Sequence, residues 1–139
     1  MRRRRPTVCD WNTLGVHFYS VGALDLAIAQ LERAVSLAPE VASIHFNLGG
    51  AYFGKGRMID ADREFRAALA LDPGHARAHW SRGLCLEKMG RLKDALKEFA
   101  WVLEHSAGTR EARSAQEEIE AIGLLSDGNG ASGPPMGLS

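Results

Sequence analysis

Apolar and small residues return every three to four positions through most of residues 8–124, the spacing that gathers them on one face of an α-helix. Glycine and proline interrupt this pattern at regular intervals. The spacing and its punctuation predict helices at about Val8–Ser20, Leu24–Leu37, Ala42–Gly54, Met58–Leu71, Ala76–Met89, Leu92–His105 and Arg110–Leu124. Thr109 is the expected N-cap of the last helix, with Glu111 near the positive end of its dipole. Ala112, Ala115, Ile119 and Ile122 share one face of that helix, while Glu117, Glu118 and Glu120 lie largely off it.

The pattern is periodic on a longer scale. Gly15, Gly49 and Gly83 stand 34 residues apart, as do Gly22, Gly56 and Gly90, and Ala27, Ala61 and Ala95. Three columns in one register mark a helix–turn–helix solenoid. The first repeat reads Trp11, Leu14, Gly15, Phe18, Ala27, Leu31, Ala34, Pro39. The second reads His45, Leu48, Gly49, Tyr52, Ala61, Phe65, Ala68, Pro73, and the third His79, Arg82, Gly83, Leu86, Ala95, Phe99, Val102, Ala107.

This series resembles the tetratricopeptide repeat family. The resemblance implies an all-α, right-handed solenoid of three repeats (8–41, 42–75, 76–108) closed by a capping helix at 109–125. A basic, disordered tail at 1–7 and a flexible Gly/Ser/Pro-rich tail at 126–139 flank it. Small residues belong where the two helices of a repeat cross, because a larger side chain would push the axes apart. Leu14, Phe18, Leu31, Leu48, Tyr52, Phe65, Leu86 and Phe99 are the expected core. Arg82 breaks a column otherwise held by Leu14 and Leu48. A buried unpaired arginine is too costly, so its stem should follow the core edge and its head should reach a carboxylate of the capping helix, such as Glu118.

Composition narrows the function classes. Lys+Arg and Asp+Glu are both 17, and the resulting formal neutrality argues against a nucleic-acid surface. Arg2–Arg5 could tether the chain to nucleic acid or anionic lipid, but a short solvated tail is the simpler reading. No apolar run is long enough for a membrane span, and none follows the arginines as a signal peptide requires, so a cytoplasmic protein is expected. Cys9 and Cys85 lack metal-site spacing and suit a reducing compartment.

Catalytic motifs are missing: there is no P-loop, GxGxxG, CxxC or HExxH. His75 and His79 have the helical spacing of a metal pair, but no third ligand accompanies them, and His79 occupies the packing column of Trp11 and His45. No enzyme activity, cofactor or metal is therefore expected.

Function should reside on a surface. In the family the first helix of each repeat lines a concave face. By resemblance, the groove-facing positions include Asn12, Val16 and Tyr19; Phe46, Asn47, Gly50 and Phe53; and Arg77, Trp80, Leu84, Glu87 and Lys88. Chaperone-binding relatives hold a C-terminal carboxylate with a clamp of Lys, Asn, Asn, Lys and Arg. The corresponding residues here are Asn12, Val16, Asn47, Arg77 and Ser81, which supply too little charge for that ligand. The expected function is a non-catalytic scaffold that binds a protein or peptide segment in an apolar, aromatic groove. The alternatives are a homo-oligomer that uses the groove as its interface, or an adaptor tethered through its arginines.

Overall fold

The computed structural model describes residues 5–131, with side chains through Leu124. Among the described residues the chain is all-α: α1 (Val8–Ser20), α2 (Leu24–Leu37), α3 (Ala42–Gly54), α4 (Met58–Leu71), α5 (Ala76–Lys88), α6 (Leu92–His105) and α7 (Arg110–Ala131). Each helix packs on its neighbour in sequence. In addition α1 touches α3, α3 touches α5 and α5 touches α7, whereas α2, α4 and α6 do not touch one another. The odd-numbered helices thus crowd along one side and the even-numbered helices fan out on the other, so the stack curves toward α1, α3, α5 and α7.

Both ends depart from expectation. Thr7, assigned to the basic tail, is the N-cap of α1. Its backbone N donates to Asp10 Oδ2 at 2.8 Å, and the Asp10 N donates back to Thr7 Oγ1 at 3.4 Å. Residues 126–131, expected in the flexible tail, instead continue α7. Once a helix is nucleated each added residue needs only its own hydrogen bond, and the first proline after this stretch is Pro134. The remaining tail residues, 1–4 and 132–139, lie outside the described residues.

The turn and crossing residues act as their columns suggest. Gly22, Gly56 and Gly90 have φ of +82°, +83° and +78°, a conformation that a side chain would strain. Gly108 takes the same conformation (φ +84°), and Thr109 Oγ1 then caps α7 by accepting from Ala112 N at 3.1 Å. A Cβ added at Gly15 would lie 2.5 Å from Leu31 Cγ, and at Gly49 2.6 Å from Phe65 Cε1; at Gly83 it would lie 2.5 Å from Phe99 Cε1. Ala27, Ala61 and Ala95 are fully buried at the same crossings.

The column of Leu14, Leu48 and Arg82 shows how neighbouring repeats join. Leu48 is buried in one cluster with Ile28 of the preceding repeat. Leu14, expected in the core, is 42% exposed, because no repeat precedes α1 among the described residues. Arg82 does find carboxylates, but not on α7. Its Nε donates to Asp62 Oδ1 of α4 at 2.9 Å, and its Nη1 is ion-paired with Glu98 Oε1 of α6. Asp62 occupies the column of Ile28, so the apolar joint between the first two repeats becomes an ionic joint between the second and third.

Histidine extends this polar layer. His79 bridges Glu98 Oε2 through Nδ1 (2.6 Å) and the Pro73 carbonyl through Nε2 (2.9 Å). His45 repeats the arrangement with Glu64 (2.7 Å) and Pro39 (2.7 Å). The family tryptophan is thus replaced twice by a side chain that ties the preceding loop to the second helix of its own repeat.

Adjacent glycines give opposite expectations. Gly49→Ala must displace the Phe65 ring and should cost about 1–3 kcal/mol. Gly50→Ala meets nothing within 4 Å and should gain up to about 1 kcal/mol from helix propensity. Urea titrations of the two variants check this contrast.

The ionic joint makes a second. Arg82→Leu takes the inter-repeat cation from the buried Asp62, which keeps only Arg66 of its own helix, and from Glu98, and should cost about 2 kcal/mol. Adding Asp62→Ile copies the Ile28–Leu48 joint and should recover most of that loss in the same titration.

Candidate functional site

The crowded side of the stack carries a groove of about 500 Å³. Helix α1 contributes Val16 and Tyr19, both more than 40% exposed, and α3 contributes Phe46, Asn47, Gly50 and Phe53. Helix α5 supplies Arg77, Trp80, Ser81 and Leu84, while Leu31 and Phe65 reach in from the second helices. Spacings of three and four residues put each set on one face of its helix. Gly50 leaves open space in the middle, since a Cβ built there meets nothing within 4 Å.

The aromatic side chains are partly anchored. Phe46 and Phe53 pack half-buried against the cluster that contains Leu48, Tyr52 and Phe65, and Trp80 and Leu84 against the cluster of α5, α6 and α7. These rings therefore belong in part to the seam between helices and in part to the groove lining. Phe46 lies 4.8 Å from the His75 ring, and the Arg77 guanidinium sits 5.2 Å above it.

Polar groups are sparse. Asn47 Nδ2 donates to Asn12 Oδ1 at 3.0 Å, which links α3 to α1 and places Asn12 beside the groove. Trp80 Nε1 is buried without a partner among the described residues. The exposed Arg77 makes no ion pair among them, and it is the charged side chain among the described lining residues.

Besides Asn12, which lies next to the lining and not in it, two more expected groove residues sit elsewhere. Lys88 is exposed, and Glu87 turns toward Glu118 of α7. Neither is among the groove-lining residues, because α7 packs on α5 and takes up that end of its inner face. Burial pushes the Glu87 carboxyl above the usual carboxylate range; a hydrogen bond to Glu118 and its charge push the same way, against Lys88. Leu31 and Phe65 were legible only as core residues, and Ser81 only as a clamp position.

Cys85, His75 and His79 are engaged in packing or hydrogen bonds, while Cys9 is an exposed thiol. Burial pushes the Cys85 thiol up to about 11, so it stays protonated at neutral pH. His75 Nδ1 caps α5 by accepting from Ala78 N at 3.1 Å, and His79 is held by Glu98. No cluster of three His, Cys, Asp or Glu residues suited to a metal ion occurs among the described residues. No helix among them is long and apolar enough to cross a membrane.

Comparison with known proteins accounts for this architecture. Residues 15–56 match the TPR repeat family, and residues 42–75 and 60–109 match the tetratricopeptide repeat. The chain belongs to the tetratricopeptide repeat family, whose members are protein-interaction modules and generally not enzymes. A mutant of MamA is 31% identical, over 73% of this chain and 74% of that one, with a TM-score of 0.69. MamA in another crystal structure reaches a TM-score of 0.77 at 26% identity, covering 85% of this chain and 70% of that one. The first TPR of Spaghetti (RPAP3), solved bound to the HSP90 peptide SRMEEVD, has a TM-score of 0.80. It is 23% identical over 85% of this chain and 91% of that one. No curated protein sequence matches the chain.

The carboxyl pair makes the attachment of α7 depend on pH. A carboxyl whose pKa is raised by folding stabilises fully below its unfolded value of about 4.3, and that stability is lost as pH rises through the folded value. Glu87→Gln should therefore raise the melting temperature at pH 7 and leave it nearly unchanged at pH 4, as thermal melts at the two pH values would register.

Proposed function

We propose that the concave face binds a peptide segment of a partner protein, with apolar side chains seated in the groove around Gly50. The observation that carries this reading is the groove itself. It is lined by partly buried Phe46, Phe53 and Trp80, and its volume of about 500 Å³ is that of a ligand site and not of a packing defect. The neighbours solved with HSP90 and HSP70 peptides use the same fold to hold peptides, which supports the general mode. A buried chain-terminal carboxylate needs several charge-assisted partners, and Arg77 is the one cation among the described lining residues. The ligand we propose is therefore an internal segment.

Gly50→Leu is the direct test. It fills the groove where nothing opposes a Cβ and replaces glycine with a strong helix former, so the melting temperature should hold or rise. Peptides selected on the wild type from a short random library should bind this variant at least about tenfold more weakly, the factor set by about 1.4 kcal/mol. The peptide SRMEEVD should bind the wild type weakly. Equal binding of the selected peptides to Gly50→Leu would place the site elsewhere. A mass that grows with concentration, and is reset by Gly50→Leu, would make a second copy the ligand.

A further inference from the structure

The arginine run ahead of α1 leads directly to a hydroxyl. We infer that Thr7 is a phosphoryl-acceptor site for an arginine-directed serine/threonine kinase, and that the phosphate opens the cap of α1. The site lies outside the groove and does not depend on what the groove binds.

The sequence Arg4-Arg5-Pro6-Thr7-Val8 places cations two and three residues before the hydroxyl and an apolar side chain directly after it. A kinase that selects arginines does so with carboxylates, which take guanidinium groups bidentately. It also needs an extended substrate, because a helix turns the acceptor and its arginines onto different faces. Thr7 meets both conditions. Its φ of −102° and ψ of 171° are extended, Pro6 disfavours helix at Arg5, and residues 5–7 are all exposed. Only Val8 must leave the helix, and terminal residues fray at little cost. Other hydroxyls lack the combination. Ser36 follows Arg33 by three residues but lies inside α2, and Ser114 follows Arg113 inside α7. Ser106 and Thr109 stand between helices, with no Arg or Lys in the three residues before either.

Magnesium–ATP supplies the group. Thr7 Oγ1 forms a bond to the γ-phosphorus, the bond from that phosphorus to the β,γ-bridging oxygen breaks, and ADP leaves. The hydroxyl proton passes to the catalytic carboxylate of the kinase and then to solvent.

The phosphate displaces an existing contact. Thr7 Oγ1 donates to Asp10 Oδ2 at 2.9 Å and accepts from Asp10 N at 3.4 Å. Once esterified, Oγ1 has no hydrogen to donate, and about two negative charges stand beside the Asp10 carboxylate. The dipole of α1 favours the phosphate. That attraction is weaker than the charge-assisted bond it loses and the repulsion it gains, so the first turn opens.

The experiment treats the full chain with magnesium–ATP and the catalytic subunit of cyclic-AMP-dependent protein kinase, an arginine-directed enzyme, and locates phosphate by intact and fragment mass. The wild type should take one phosphoryl group, on Thr7. Thr7→Asn keeps a capping side chain without an acceptor and should take none, whereas Thr7→Ser should be modified. The Arg4→Ala/Arg5→Ala double variant should react at least about tenfold more slowly. Melting temperatures confirm that each variant is folded. In the phosphorylated chain, hydrogen exchange should speed up at the Asp10 and Trp11 amides, which Thr7 now holds, and stay unchanged in α3–α6. Phosphate on another hydroxyl, none on a folded wild type, or a double variant as fast as the wild type would overturn the site. Unchanged exchange at Asp10 and Trp11 would overturn the opening of the cap and leave the site standing.

Discussion

The edge of a large side chain lying on a glycine is the contact from which the rest of this solenoid follows. Leu31, Phe65 and Phe99 lie over Gly15, Gly49 and Gly83, closer than any Cβ could tolerate. Close crossing brings the two helices of each repeat together, and three such crossings in one register stack the repeats with their first helices inward. The groove is the open side of that stack. Its floor shares residues with the core, since Leu31 and Phe65 both press on a glycine and reach the groove. Site shape and fold stability are therefore linked at those two residues and separable at Gly50.

Above this apolar layer the repeats are joined by two different chemistries. The first joint is apolar, with Ile28 and Leu48 in one cluster. The second is a chain of charge-assisted contacts from the Pro73 carbonyl through His79, Glu98 and Arg82 to Asp62. Ionic joints contribute less net stability than apolar ones, because desolvation offsets most of the attraction. They are less tolerant of displacement, however, because a shifted helix takes the guanidinium away from two largely buried carboxylates. The third repeat, which carries Arg77, Trp80 and Leu84, is thus seated by directional contacts.

Periodicity was enough to determine the all-α class and most helix ends, because the sequence repeats its own stops and its own small residues. It was also enough to nominate the inner face, since a helix face is a matter of spacing alone. The tertiary structure decided what each face meets. Leu14 and Leu48 look alike in sequence, yet one is exposed and the other buried, because burial depends on a neighbouring repeat. Arg82 needed a carboxylate on either reading, but Asp62 and Glu98 lie far from it in sequence and become its partners only when α4 and α6 flank α5. Glu87 shares a helical face with Trp80 and Leu84, and only the docking of α7 removes it from the groove. Local spacing determines which side of a helix a residue occupies; the packing of distant segments decides whether that side meets solvent, a charge or another helix.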